Sequence, residues 1–177
     1  NLKKEDLENW QTFEYQRQLD EIEQNRLREI EQTRTWYTNE LQSIDREYQN
    51  RTREINNRWD DYLIYLDGYW NEIIQENIRD GDQEAIDYHN KRKARDQQDT
   101  ETTRQRELED AFNENQRSIW DLEDEKTFQD ADTENRFARD KENTTKALEN
   151  EKAIREQEIA TSISNTERER SSLLERH

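Results

Sequence analysis

The side chains of this chain that could do chemistry are nearly all carboxylates. There are 45 Asp and Glu, two His (His89 and His177) and no Cys. Nucleophilic catalysis needs a nucleophile with a base held beside it. His89 sits in Asp87-Tyr88-His89-Asn90 next to a basic run, with nothing in its neighbourhood to orient it. It reads as a solvent-exposed helix histidine, and the chain is expected not to be an enzyme. Oxygen ligation is the other candidate. Asp80, Asp82 and Glu84 alternate around Gly81 in the manner of the start of a calcium loop. That loop also needs its glycine at the sixth position and a bidentate Glu at the twelfth, and neither is present. Asp121, Glu123, Asp124 and Glu125, and the pair Asp130 and Asp132, add further oxygen ligands. The plainer reading of all of them is helix capping and a solvated acidic face. No cofactor is expected beyond Ca2+ held weakly by surface carboxylates.

Three short motifs are of lower information. Lys91-Arg92-Lys93-Ala94-Arg95 is the one dense basic run. It has the form of a localisation or nucleic-acid patch, but in so acidic a chain it reads as a local counter-charge. Asn50-Arg51-Thr52 and Asn143-Thr144-Thr145 match the N-glycosylation pattern, which chance supplies readily in a chain this rich in Asn and Thr.

The elements that must position these residues are helices. The 177 residues include no proline and only two glycines, Gly68 and Gly81. Without breakers, helix propagates. Tyr15, Tyr37, Tyr48, Trp59 and Trp70 are spaced in multiples of eleven. Stepping four, three and four from residue 15 to residue 77 fills fourteen of eighteen slots with apolar residues, in a chain that is 28% apolar. Eleven residues in three turns is 3.67 per turn, so the stripe stays nearly parallel to the helix axis or drifts right-handed. The phase passes through Gly68 without slipping, which predicts that Gly68 is helical, although Asp67-Gly68 is also a turn pair. Arg79-Asp80-Gly81-Asp82 is the stronger break, with Gly81 as a left-handed C-cap and Asp82 as the next N-cap.

The expected organisation is a long helix over 1–80, a turn at 81–82 and a second long helix over 83–177. Each helix would exceed about 100 Å at 1.5 Å per residue. Candidate interruptions lie near 95–103, in a stretch with no apolar side chain from 95 to 107, and near 161–165, where Ser164-Asn165-Thr166-Glu167 has the form of a capping box. Beyond the bare stretch, Phe137, Leu148 and Ile159 repeat at intervals of eleven. The fold class is all-α: long helices, as a hairpin or an extended rod, associating as a coiled-coil-like bundle.

Composition removes other classes. Charged residues make up 41% of the chain, where compact domains carry about 25%. Five Trp, seven Tyr and four Phe argue against disorder. Net charge is −17, shared as −8 over residues 1–80 (11 basic, 19 acidic) and −9 over residues 82–177 (17 basic, 26 acidic). Such a surface repels phosphate backbones and anionic headgroups, so neither nucleic acid nor a membrane is an expected partner. Folding the two helices together sets the bare stretch 95–107 against residues near 55–67, where the first helix is most aromatic. The second helix is therefore expected to leave that surface open to other chains. The expected assembly interface is Tyr37, Tyr48, Trp59, Leu63, Leu66, Trp70 and Ile74.

In acidity, size and a methionine-free sequence beginning at Asn1, the chain resembles the trichocyst matrix (granule lattice) proteins of ciliates. The resemblance implies a mature polypeptide excised from a precursor, built of long helices, packed in crystalline secretory cores that respond to calcium. It implies a secretory-granule or extracellular location; composition alone leaves the cytoplasm open. The functional expectation is a structural, self-assembling protein that forms a filament, bundle or lattice by lateral helix packing with like or unlike helical chains. The alternative is a coiled-coil adaptor or rod segment that binds a different protein.

Overall fold

The computed structural model describes residues 2–176, with side chains from residue 4 onward; Asn1 and His177 lie outside the described residues. Two helices account for nearly all of it. α1 spans Leu2–Asp80 and α2 spans Gln83–Glu175. The fold is an all-α helical hairpin, with no strand among the described residues.

Gly68 lies inside α1. Gly81 makes the turn, with φ of 68°. The Gly81 amide donates to the Ile78 carbonyl and the Asp82 amide to the Asn77 carbonyl, both at 3.1 Å. This crossed pair satisfies two of the carbonyls that a helix C-terminus leaves open. Asp82 then starts α2. Its carboxylate accepts from the Ala85 amide at 3.1 Å, and its carbonyl accepts the first helical bond, from Ile86, at 3.0 Å. One glycine and one aspartate thus end one helix and begin the next.

α2 is not interrupted near 95–103 or near 161–165. The threonines of the bare stretch keep their hydroxyls inside the helix. Thr100, Thr102 and Thr103 each donate to the carbonyl four residues back, at 2.7, 3.0 and 2.9 Å. At the expected capping box, Thr166 likewise donates to the Ser162 carbonyl at 3.0 Å. These bonds keep the hydroxyls on carbonyls of their own helix, and at 164–167 they stand where the sequence pattern suggested a cap.

The chain divides into two compact units, Trp36–Glu125 and the remainder, in which residues up to Thr35 join those from Lys126. In the unit that holds the turn, α1 residues 36–80 run antiparallel to α2 residues 83–125. Its core is Leu66, Trp70 and Ile74, with Ile73 and Ile86 packed against them. Ile55, Thr100, Ala111 and Leu122 are also buried. Thr100, Ala111 and Leu122 are spaced eleven apart, so α2 presents its own eleven-residue row, in which Leu122 is the one large apolar residue.

In the other unit the buried positions are Leu7, Thr133, Phe137 and Leu148, with Tyr15, Leu19, Ile22 and Ile30 half-buried. Charged residues close its seam. Arg136 forks onto Glu29 at 2.9 and 2.6 Å, and Arg26 reaches Glu134 at 2.6 Å. The Arg155 guanidinium stands 4.0 Å over the Trp10 ring.

Candidate functional site

The carboxylates of the turn do not converge. Asp80 ends α1, Asp82 caps α2 and Glu84 lies in the first turn of α2. Among the described residues no group of three or more His, Asp or Glu side chains is placed to hold a metal ion. The alternation of Asp80, Asp82 and Glu84 is that of a helix end meeting a helix start, where backbone amides and the helix dipole favour carboxylates. Asp130 and Asp132 face cations of their own helix, Lys126 at 2.8 Å and Arg136 at 4.0 Å.

His89 is not a solvent-exposed helix histidine. It is half-buried, with the Asn77 amide nitrogen 2.6 Å from its Nδ1 and the Trp70 ring centroid at 5.9 Å. The basic run beside it is local counter-charge at Lys93, which binds Asp67 at 2.7 Å and Asn71 at 2.8 Å. The Arg92 guanidinium lies 6.0 Å from the Tyr88 ring centroid.

The seven residues expected to form an assembly interface all turn toward the seam between the helices. Leu66, Trp70 and Ile74 are buried, and Tyr37, Tyr48, Trp59 and Leu63 are half-buried. The bare stretch of α2 reaches Trp59 and Trp70 through Glu107 and Asp96, contrary to the expectation that it leaves them open. The physical reason is the indole. A buried Trp N–H needs an acceptor that no aliphatic side chain supplies. Asp96 accepts from Trp70 Nε1 at 2.9 Å, and Glu107 accepts from Trp59 Nε1 at 2.7 Å. Arg104, whose side chain is 14% exposed, lays its stem along the seam and reaches Asp60 at 2.6 Å; its guanidinium also binds Glu101. Arg58 binds Glu107 from the α1 side. Long charged side chains cover apolar surface with their methylenes while the charged heads stay hydrated.

What remains open is a different face. Tyr62, Tyr65 and Tyr69 are 42%, 62% and 48% exposed. Their rings form a continuous ladder along the flank of α1. Trp59 meets Tyr62 edge-on at 5.7 Å, and Tyr62 stacks on Tyr65 at 6.0 Å. Tyr65 stacks on Tyr69 at 6.3 Å, and Tyr69 meets Trp70 edge-on at 5.2 Å. The Arg58 guanidinium caps one end, 5.4 Å from the Trp59 ring centroid. The ladder is held at both ends by tryptophans whose indoles are pinned in the seam, so its rings stand on a fixed base. The sequence signal for it was present. Residues 62, 65, 69 and 73 step by three, four and four, a second stripe beside the first, within a segment that is apolar nearly all round.

Hydrogen-bonded pairs set the titration of the surface charges. The Arg17 guanidinium holds the Glu14 carboxyl below the usual range, and Arg26 does the same to Glu23. Lys146 does so to Glu142. The Arg104 guanidinium is raised by its bonds to Glu101 and Asp60, and that of Arg136 by Glu29. Among the described residues no helix is long and apolar enough to cross a membrane.

No family model, curated protein or solved structure matches the chain.

Proposed function

We propose that this chain is a structural protein whose helical hairpins associate laterally, with the Tyr62–Tyr65–Tyr69 ladder as the contact surface. The observation that carries the reading is the ladder itself. Three adjoining tyrosines stand out from a surface otherwise dominated by charge, in stacked order and anchored by Trp59 and Trp70. Clustered exposed aromatics mark contact surfaces, and tyrosine suits them because it brings a large area with few rotatable bonds. The seam is not that surface: each hairpin closes it on its own polar helix. The net charge of −17 opposes close approach of copies, so added salt or divalent cations that screen it favour packing.

Sedimentation velocity on the purified chain tests the reading. Large species should form as concentration and ionic strength rise. The triple substitution Tyr62→Ser, Tyr65→Ser, Tyr69→Ser should return the chain to small species with unchanged helix content. A wild-type chain that stays small under all these conditions favours the adaptor reading, in which the ladder receives a different protein.

A further inference from the structure

The 177 residues hold no Cys and no Met, the two side chains whose sulfur is the usual target of oxidants. The groups left that give up one electron most easily are the indoles and phenols. Around the ladder these are joined ring to ring. Trp59, Tyr62, Tyr65, Tyr69 and Trp70 follow one another at centroid separations of 5.7, 6.0, 6.3 and 5.2 Å. Electrons cross such gaps readily, so a hole made in one ring is shared with the others. The two ends differ. The Arg58 guanidinium, 5.4 Å from the Trp59 ring centroid, opposes positive charge there. Trp70 donates its Nε1 proton to Asp96 at 2.9 Å. That carboxylate takes the proton as the indole loses an electron and returns it when the electron comes back. Trp70 is 8% exposed, whereas Tyr65 is 62% exposed and releases its phenolic proton to water. The hole therefore comes to rest on the ladder as a phenoxyl radical. Tyr88, 57% exposed, is an internal control. Between it and Trp70 stands the His89 imidazole, at 5.2 and 5.9 Å, which holds its electrons too tightly to pass the hole on.

We propose that the five rings from Trp59 to Trp70 form one oxidisable unit, and that one-electron oxidation leaves its hole on the ladder phenols, where tyrosines of adjacent copies couple into a covalent cross-link. The oxidant is of the peroxidase type, drawing on hydrogen peroxide. Two phenols, one on each copy, each give up one electron and one proton. Hydrogen peroxide takes the two electrons and two protons and becomes two waters. The phenoxyl radicals join by a carbon–carbon bond between ring positions ortho to oxygen. The hydrogens at those positions move to the oxygens, which restores both phenols. The cross-link rests on the lateral contact proposed above; the settling of the hole on the ladder does not.

The full chain in dilute solution, where it is unassembled, tests the second point. Light-generated ruthenium(III) tris-bipyridine serves as the one-electron oxidant, and tyramine as a soluble phenol that couples to protein phenoxyl radicals. Peptide mapping should place tyramine on Tyr62, Tyr65 and Tyr69 well ahead of Tyr88. The triple substitution Tyr62→Phe, Tyr65→Phe, Tyr69→Phe keeps the rings and removes the phenols. It should lose most of the label, and oxygen addition at the buried Trp70 should rise, because the hole has no phenol to rest on. Equal labelling of Tyr88 and the ladder, or Trp70 oxidation unchanged in the triple variant, overturns the proposal, since exposure alone would then decide the site. Under assembling conditions, peroxidase with hydrogen peroxide should give covalent wild-type dimers on denaturing gels, mapped to ladder tyrosines, and few from the variant. Sedimentation before oxidation separates the two failures. Assemblies without covalent dimers overturn the cross-link, and no assemblies at all overturn the lateral contact on which it rests.

Discussion

Asp96→Ala should destabilise the hairpin even though it removes a negative charge from a chain at −17 and places a better helix former in α2. Asp96 accepts from Trp70 Nε1 at 2.9 Å, and Trp70 is 8% exposed. A hydrogen bond to a charged group contributes about 1.5–3 kcal/mol. Ala in place of Asp returns about 0.5 kcal/mol of helix propensity, and relief of net charge acts in the same direction. The expected net loss is about 1–2.5 kcal/mol. Asp99 is the control. It is exposed, and Thr103 uses only its backbone carbonyl. Asp99→Ala should leave stability unchanged or raise it by a few tenths of a kcal/mol, about the propensity gain. Urea unfolding followed by helical circular dichroism compares the two variants under conditions where the chain is unassembled. A double-mutant cycle of Asp96→Ala with Trp70→Phe, which removes the donor and keeps an apolar ring, should show a coupling of about 1–2 kcal/mol. If Asp96→Ala is as stable as Asp99→Ala, or the coupling vanishes, the polar stretch of α2 does not hold the seam through its carboxylates.

The two glycines should respond in opposite directions. Gly68→Ala adds a methyl with nothing within 4 Å inside a helix, and should stabilise by about 0.5–1 kcal/mol. Gly81→Ala meets no obstruction either, but φ of 68° strains any side chain, and should destabilise by about 1–2 kcal/mol; thermal melts of both distinguish them. Glu14, Glu23 and Glu142 have their carboxyls held low by Arg17, Arg26 and Lys146. Their contribution is present above the unfolded-state value of about 4.3 and is lost as pH falls through their depressed values. Melting temperature should therefore fall on acidification below that point, and a flat profile would contradict the assignment. Light scattering on the purified chain should rise with NaCl and with CaCl2. Equal responses at matched ionic strength indicate screening, and a response to calcium far beyond that indicates bound ions.

The helices and the turn were legible because they depend on local features: no proline, two glycines, and an Asp-Gly-Asp order that can close one helix and open another. The seam face of α1 was legible for the same reason, as its Tyr, Trp, Leu and Ile side chains announce their period. The facing row of α2 was not. Thr100, Ala111, Arg104 and Asp96 carry no hydrophobic signal, and their roles appear only when a partner indole or a hydrated guanidinium head is in place. An apolar count over 95–107 returns nothing, while the physical cover consists of methylenes, a methyl and two carboxylate acceptors. The same blindness moved the expected contact surface. Trp59 and Trp70 looked available because their cover looked absent; with the cover in place, the exposed aromatics between them are Tyr62, Tyr65 and Tyr69.

Electron microscopy of the purified chain at moderate salt, beside the triple ladder variant, tests the central claim most directly. Lateral packing through the ladder predicts ordered side-by-side assemblies for the wild-type chain and none for the variant at the same concentration. Assemblies that persist unchanged in the variant, or a wild-type chain seen only as separate small particles, would contradict it.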